Sequence, residues 1–179
     1  MPRSQDDQEQ MFSAATDTLA QSPRQVVTLP SANIGQSAPL GATVFPNGVN
    51  FSLFSRKASS VELLFFDREE DALPSRVIHL DPATNRTYHY WHVFVASAQP
   101  GQIYGYRVHG PFDPDNGLRF DPGKILLDPY GRGVIVPKNY DRDATSRGGD
   151  NTATAMKSVI VDPQLYDWEG AKLCLSKLS

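Results

Sequence analysis

An antiparallel β-sandwich is the fold that this sequence predicts, and three observations predict it. Gly and Pro total 27 of 179 residues, a turn-rich content that suits short strands. Runs of apolar and aromatic residues recur every 10–15 residues with a turn signal between them. No 3.6-residue apolar period separates the runs, which argues against alternating strands and helices around a parallel sheet.

The candidate strands follow in order. Gly48–Ser55 (GVNFSLFS) and Ser60–Asp67 (SVELLFFD) flank Arg56–Ser59, a length suited to a hairpin. Arg76–Leu80 (RVIHL), Tyr90–Ala96 (YWHVFVA) and Gln102–Gly110 (QIYGYRVHG) come next, bounded by DALP, DPATN and QPG. Side chains alternate between the two faces of a strand. Trp91, Val93 and Val95 therefore share an apolar face that belongs in a core, where Trp91 packs instead of serving as a stacking platform. Tyr90, His92 and Phe94 share the opposite face. In the next strand Tyr104, Tyr106 and Val108 lie opposite Ile103, Gly105, Arg107 and His109. Pro111–Gly133 is rich in Pro, Gly and Asp and reads as an ordered loop with an apolar insert, Ile125–Leu127. Lys157–Asp162 is a last short strand candidate.

Composition excludes several classes of function. Hydrophobic residues make up 40% and charged residues 21% of the chain, ordinary for a globular protein with a real core. The net charge of −3 and the absence of any Lys/Arg block argue against a nucleic-acid partner. No apolar run approaches membrane-spanning length and no secretory apolar stretch opens the chain. The lone Cys174 permits neither an internal disulfide nor a cysteine-pair metal site. The cytoplasm is the expected compartment. Residues 1–36, rich in Gln, Ser, Asp and Thr, are expected to be a mobile tail, with an amphipathic turn around Met11–Leu19 as its one ordered candidate. The organisation expected is a tail over 1–36, a sandwich over 37–112 and a loop-rich linker over 113–179.

No motif for covalent, nucleotide or metal chemistry appears, and no cofactor or metal is expected. Glu69–Asp71 form a solvated turn. Asp113, Asp115, Asp121 and Asp128 sit in DP-type turns where an Asp caps its own backbone. His89 and His92, three apart in a strand, point to opposite faces, and His79 and His109 lack a neighbouring ligand. There is no G-x-S-x-G elbow and no phosphate loop.

Three ordered blocks carry a resemblance: PLGATVFPNGVNFSLFSRKASSVELLFFD, PGQIYGYRVHGPFDPDNGLRFDPGKILLDPYGRG and MKSVIVDPQLYDWEG. Together, from about Ser37 to Gly170, they resemble the N-terminal portion of isoamylase-type glycogen debranching enzymes. That portion is similar to a family 48 carbohydrate-binding module, an immunoglobulin-like sandwich preceding the amylase-type barrel of glycoside hydrolase family 13. The resemblance implies an accessory domain of an enzyme that cleaves α-1,6 branches of an α-glucan. The catalytic carboxylates of that chemistry sit on a (β/α)8 barrel, which needs roughly 250 residues. The chain is expected to stop before that barrel, to be inactive alone, and to carry no catalytic residue. Its ending, AKLCLSKLS, departs from the family's proline-containing continuation.

The resemblance also suggests sites. Glycogen-binding modules of the family carry a Trp where Phe112 stands, a Lys where Gly105 stands, and a second Trp after the strand that corresponds to VELLFFD, where Arg68–Asp71 has none. Phe112, Tyr90, His92 and Arg107 are the glucan-binding candidates, with glycogen or starch as a weak partner. Phe120, Ile125, Leu126, Leu127, Asp128 and Tyr130 are the candidates for docking a catalytic barrel; Phe112, Phe120, Ile125, Leu126, Leu127 and Tyr130 are expected to face water without it. A stand-alone glucan-binding module and a sandwich that only docks proteins are the alternatives.

Overall fold

The structure, a computed structural model, describes residues 32–165. Among them are twelve strands and three 3-10 turns. The possible turn around Met11–Leu19 lies outside the described residues.

The strands are β1 (Ala32–Ile34), β2 (Gly41–Phe45), β3 (Gly48–Phe54), β4 (Ser60–Phe66), β5 (Arg76–Leu80) and β6 (Arg86–Thr87). They continue as β7 (Tyr90–Val95), β8 (Ile103–His109), β9 (Phe112–Asp113), β10 (Leu118–Arg119), β11 (Gly133–Ile135) and β12 (Lys157–Val159). One antiparallel sheet runs β1-β7-β3-β2, with β6 also on β7; the other runs β11-β12-β8-β4-β5, and β9 and β10 form a separate ribbon. The all-β sandwich expected from the turn-rich, strand-length texture is the fold observed.

The core lies where parity places it. Val49, Phe51, Leu53, Trp91, Val93 and Val95 of one sheet meet Val61, Leu63, Phe65, Tyr104, Tyr106 and Val108 of the other, all buried. Phe51 sits at the centre, edge-on to Phe65 at 5.7 Å and to Tyr104 at 5.1 Å, the geometry that aromatic quadrupoles favour. Trp91 is fully buried and donates its indole N–H to the Ser55 carbonyl at 3.3 Å.

Several connections differ from the sequence reading. Arg56–Ser59 does not close a hairpin: β3 pairs with β2 and β7, whereas β4 pairs with β5 and β8, so the segment crosses between sheets. The hairpin on this side is β2–β3, turned by Pro46 and Asn47, with Gly48 at φ +150°. A side chain on Gly48 would come within 2.5 Å of the Val95 carbonyl oxygen on the neighbouring strand.

The sandwich also extends past the expected limits at both ends. Within the segment expected as a tail, Ala32–Ile34 pairs with Val93–Val95. Within the segment expected as a linker, β12 joins β8 and β11 joins β12. Between them runs a strap, residues 124–128, that lies across β8: Leu126 and Tyr106 exchange backbone hydrogen bonds at 2.8 and 2.9 Å.

Candidate functional site

The strap decides which surface is open. Leu64, Phe66 and Ile103 point away from the central core and form a second apolar cluster with Ile125 and Ala155. Gly105 makes this possible. A Cβ there would sit 2.8 Å from the Ile125 side chain, so the residue opposite the strap must lack one or Ile125 must give way. The strap is fastened from both flanks. Asn151 accepts the Ile125 amide at 2.7 Å, and buried Lys124 donates to the carbonyls of Ala144, Arg147 and Gly149 at 2.6–2.9 Å.

Asp128 anchors the far end. It accepts the Tyr104 hydroxyl at 2.9 Å and the Tyr130 amide at 2.8 Å, while its own amide donates to the Ser158 hydroxyl at 3.0 Å. Burial pushes its carboxyl above the ordinary carboxylate range, against the lowering effect of those two donated bonds. The Tyr104 hydroxyl is pushed far up by burial and by the neighbouring Asp128 charge. Of the docking candidates, Ile125 and Asp128 are buried by the chain itself, and Phe120 and Leu127 are half-buried. Leu126 and Tyr130 remain exposed. The reason is tertiary: the segment 124–158 folds back onto β8 and supplies its own cover.

The four glucan candidates do not converge. Arg107 stands on the outer face of β8 and is held within the chain. It reaches Asp150 at 3.3 Å, Thr152 at 3.4 Å and Glu62 at 3.8 Å. Glu62 is shared further, by His109 at 3.0 Å and His79 at 3.7 Å, because cross-strand register sets His79, Glu62 and Arg107 side by side. Those two histidines thus have a carboxylate neighbour that sequence spacing did not show. Among the described residues no group of three or more His, Cys, Asp or Glu is arranged to hold a metal ion.

His92 is buried, which removes it from any ligand-facing surface. The segment after β1 folds over the outer face of β3 and β7, where Asn50 bonds to both the amide and the carbonyl of Gln36 and Ser52 donates to the Ser37 carbonyl. The His92 ring lies 2.9 Å from the Thr87 hydroxyl. Burial lowers its pKa, partly offset by a hydrogen bond with the Gly35 backbone.

Tyr90 and Phe112 stand beside an open surface. Phe54 and Tyr90 are cross-strand neighbours with ring centroids 5.4 Å apart, and Phe54 is 42% exposed. A groove of about 680 Å³ runs from Phe54 past Arg56 and Lys57 to Phe112, Arg119 and Phe120. Phe112 is 70% exposed at its rim. Behind Phe120, an apolar cavity of about 330 Å³ lies between Leu53, Tyr106, Leu126 and Leu127. The groove holds one carboxylate, Asp121, which accepts the Gly123 amide at 2.8 Å. Hydrolysis of a glycosidic bond needs two carboxyl groups at a defined separation, and the residues lining this groove supply one.

Two residues of this surface were missed by sequence reasoning. Phe54 shares its parity with Asn50 and Ser52, a mixed set that points outward, and that signal was present. Tyr88 carried none: it is 76% exposed and its backbone is left-handed, φ +58°, a conformation that costs a non-glycine residue on the order of 1–3 kcal/mol.

Comparison with known proteins gives a consistent set of relatives. The family described as carbohydrate-binding module 48 (isoamylase N-terminal domain) matches residues 39–131. The chain is 43% identical over 143 residues to the glycogen debranching enzyme of Serratia proteamaculans, covering 75% of this chain and 20% of that protein. It is 40% identical over 152 residues to the glycogen operon protein GlgX homolog of Mycobacterium tuberculosis, covering 78% of this chain and 20% of that one. The chain thus spans about a fifth of the length of these relatives. Among solved structures, it resembles the glycogen-degrading pneumococcal virulence factor SpuA with a TM-score of 0.51 and 19% identity, over 76% of this chain and 13% of that one; this likeness shows the fold.

Proposed function

Because the chain belongs to the carbohydrate-binding module 48 family, we propose that it serves an α-glucan debranching enzyme as its non-catalytic N-terminal module, contacting glucan on one surface and the catalytic domain on another. The family match across residues 39–131, set within a 43% identity to a glycogen debranching enzyme, carries this reading. The described residues support the division of labour. They contain no α-helix, hence no (β/α)8 barrel, and their open groove has one carboxylate where hydrolysis needs two.

Exposed Tyr130 and half-buried Leu127 support the contact with the catalytic domain, while Phe120 and Leu126 line both the apolar cavity and the groove. Covering such groups is how interdomain surfaces are stabilised. The exposed aromatic rings of Phe54 and Phe112 support the contact with glucan, since a pyranose presents an apolar face to a ring and hydroxyls to polar neighbours. The lone Cys174 suits a reducing compartment, and the cytoplasm is part of this reading.

The full chain is tested against glycogen in two assays. Reducing-end release is expected to stay at the buffer level, and mobility in native gels containing glycogen is expected to be retarded. Hydrolysis by the pure chain, or unaltered mobility, would overturn the corresponding half of the proposal.

A further inference from the structure

The chain itself covers part of each broad face of the sandwich. The strap with Ile125 covers Gly105 and its neighbours on one sheet, and residues 35–37 cover Asn50, Ser52 and His92 on the other. One end of the sandwich stays open, where β3 runs out at Phe54 and the β6–β7 turn projects Tyr88.

We propose that the aromatic strip Tyr88, His89 and Phe54, continuing into the groove that Phe54 shares with Phe112, is the surface on which this chain holds an α-glucan. The inference rests on the glucan-binding half of the proposed function and assigns it a place. Tyr88 stacks on His89 with centroids 3.7 Å apart and planes 36° from parallel. His89 in turn meets Phe54 edge-on at 6.1 Å. The rings therefore form a connected run, with Tyr88 and Phe54 its exposed members.

The support for Tyr88 comes from the backbone on either side. Arg86 Nε donates to the Tyr88 carbonyl at 2.9 Å, and the Ser55 amide donates to the His89 carbonyl at 2.9 Å. Those bonds tie the turn down in a left-handed conformation that a tyrosine rarely adopts, although its ring is largely in water and its hydroxyl has no partner among the described residues. Tyr88 is the first residue of the two-residue β6–β7 turn, a position that takes a positive φ, and here it is filled by a tyrosine instead of a glycine. A ring exposed at that cost is suited to meet the apolar face of a sugar.

Polar recognition stands beside the rings. Arg56 and Lys57 line the same groove as Phe54 and Phe112, and among the described residues neither has an ion-pair or hydrogen-bond partner. They can donate to the hydroxyl rim of a glucan. An acidic protein would also use these cations, but it would bind through charge and lose its hold in salt, whereas stacking of a neutral glucan would not.

The test uses the full chain, native gels containing glycogen, and titration with maltoheptaose. Tyr88→Gly keeps the left-handed backbone and removes the ring. It is expected to weaken glucan binding about tenfold while the thermal midpoint stays level or rises. Tyr88→Phe should bind as the parent does, Phe54→Ala should weaken binding, and Val134→Ala on the far sheet edge should change nothing. Parent-level binding by both Tyr88→Gly and Phe54→Ala would overturn the strip and leave glucan binding standing. No binding by the parent chain would overturn both. Glucan binding that disappears at high ionic strength would show that the cations and not the rings hold the ligand, and would overturn the strip.

Discussion

Replacing Trp91 by Ala tests the placement of the core more sharply than any other single change. The side chain is fully buried, lies opposite Leu53 in the β3–β7 register, and carries the Arg86 guanidinium 4.9 Å above its ring. A buried Trp removes roughly 150–250 Å² from water, which at about 25 cal/mol per Å² is roughly 4–6 kcal/mol. Large-to-small substitutions in cores cost about 3–5 kcal/mol for Phe or Trp to Ala, cavity included. The two routes agree, and either is a large share of the 5–15 kcal/mol typical of a whole domain, on the order of one fifth or more. The indole N–H bond to Ser55, at 3.3 Å, is long and adds little. For a chain of this size, each kcal/mol moves the thermal midpoint by about 2–4 °C, so Trp91→Ala should lower it by about 10 °C or abolish cooperative unfolding. Circular dichroism melts of parent, Trp91→Ala and Trp91→Phe would measure this, with the Phe variant falling between the other two. A midpoint for Trp91→Ala within about 2 °C of the parent would refute the burial argument and return Trp91 to the surface.

Two further outcomes follow from the strap. Burial raises the Asp128 carboxyl above its unfolded value, so the folded chain keeps a proton that the unfolded chain has already lost. The stability this linkage contributes is complete below the unfolded carboxyl pKa, about 3.9, and fades as pH rises through the folded one. Urea unfolding at about pH 4 and about pH 7 should show Asp128→Asn gaining on the parent as pH rises; a change in the other direction would mean that the bonds from Tyr104 and Tyr130 outweigh desolvation. Hydrogen exchange should find the amides of Ile125, Leu126 and Asp128, each bonded within the chain, as slow as those of β8, and Phe112 among the faster. Fast exchange across 124–128 would show the strap detached.

Six of the twelve strands, β3, β4, β5, β7, β8 and β12, were legible because their pattern follows from local chemistry, whereas the short β1, β2, β6, β9, β10 and β11 were not. The bounds of β5 match the RVIHL run, and parity alone put Trp91, Val93 and Val95 on the buried side of β7, since a strand whose one face must leave water writes that face into every second residue. The outward direction of Phe54 was equally readable from its partners Asn50 and Ser52. Family membership was carried by ordered blocks of sequence, which needed no coordinates.

Partnership was decided only in three dimensions. Arg56–Ser59 is short enough for a hairpin, yet it crosses between sheets, with β3 set between β2 and β7 and β4 between β5 and β8. Lys124 and Asn151 looked like loop residues, and they became buried fasteners once residues 124–158 returned to β8. His92 was lost as a ligand contact because residues 35–37 fold over it, a contact between segments more than fifty residues apart. The left-handed turn at Tyr88 belongs to the same class. Sequence determines which groups must leave water and in what local geometry; which distant segment covers them, and so which rings remain exposed, depends on the packing of the whole chain.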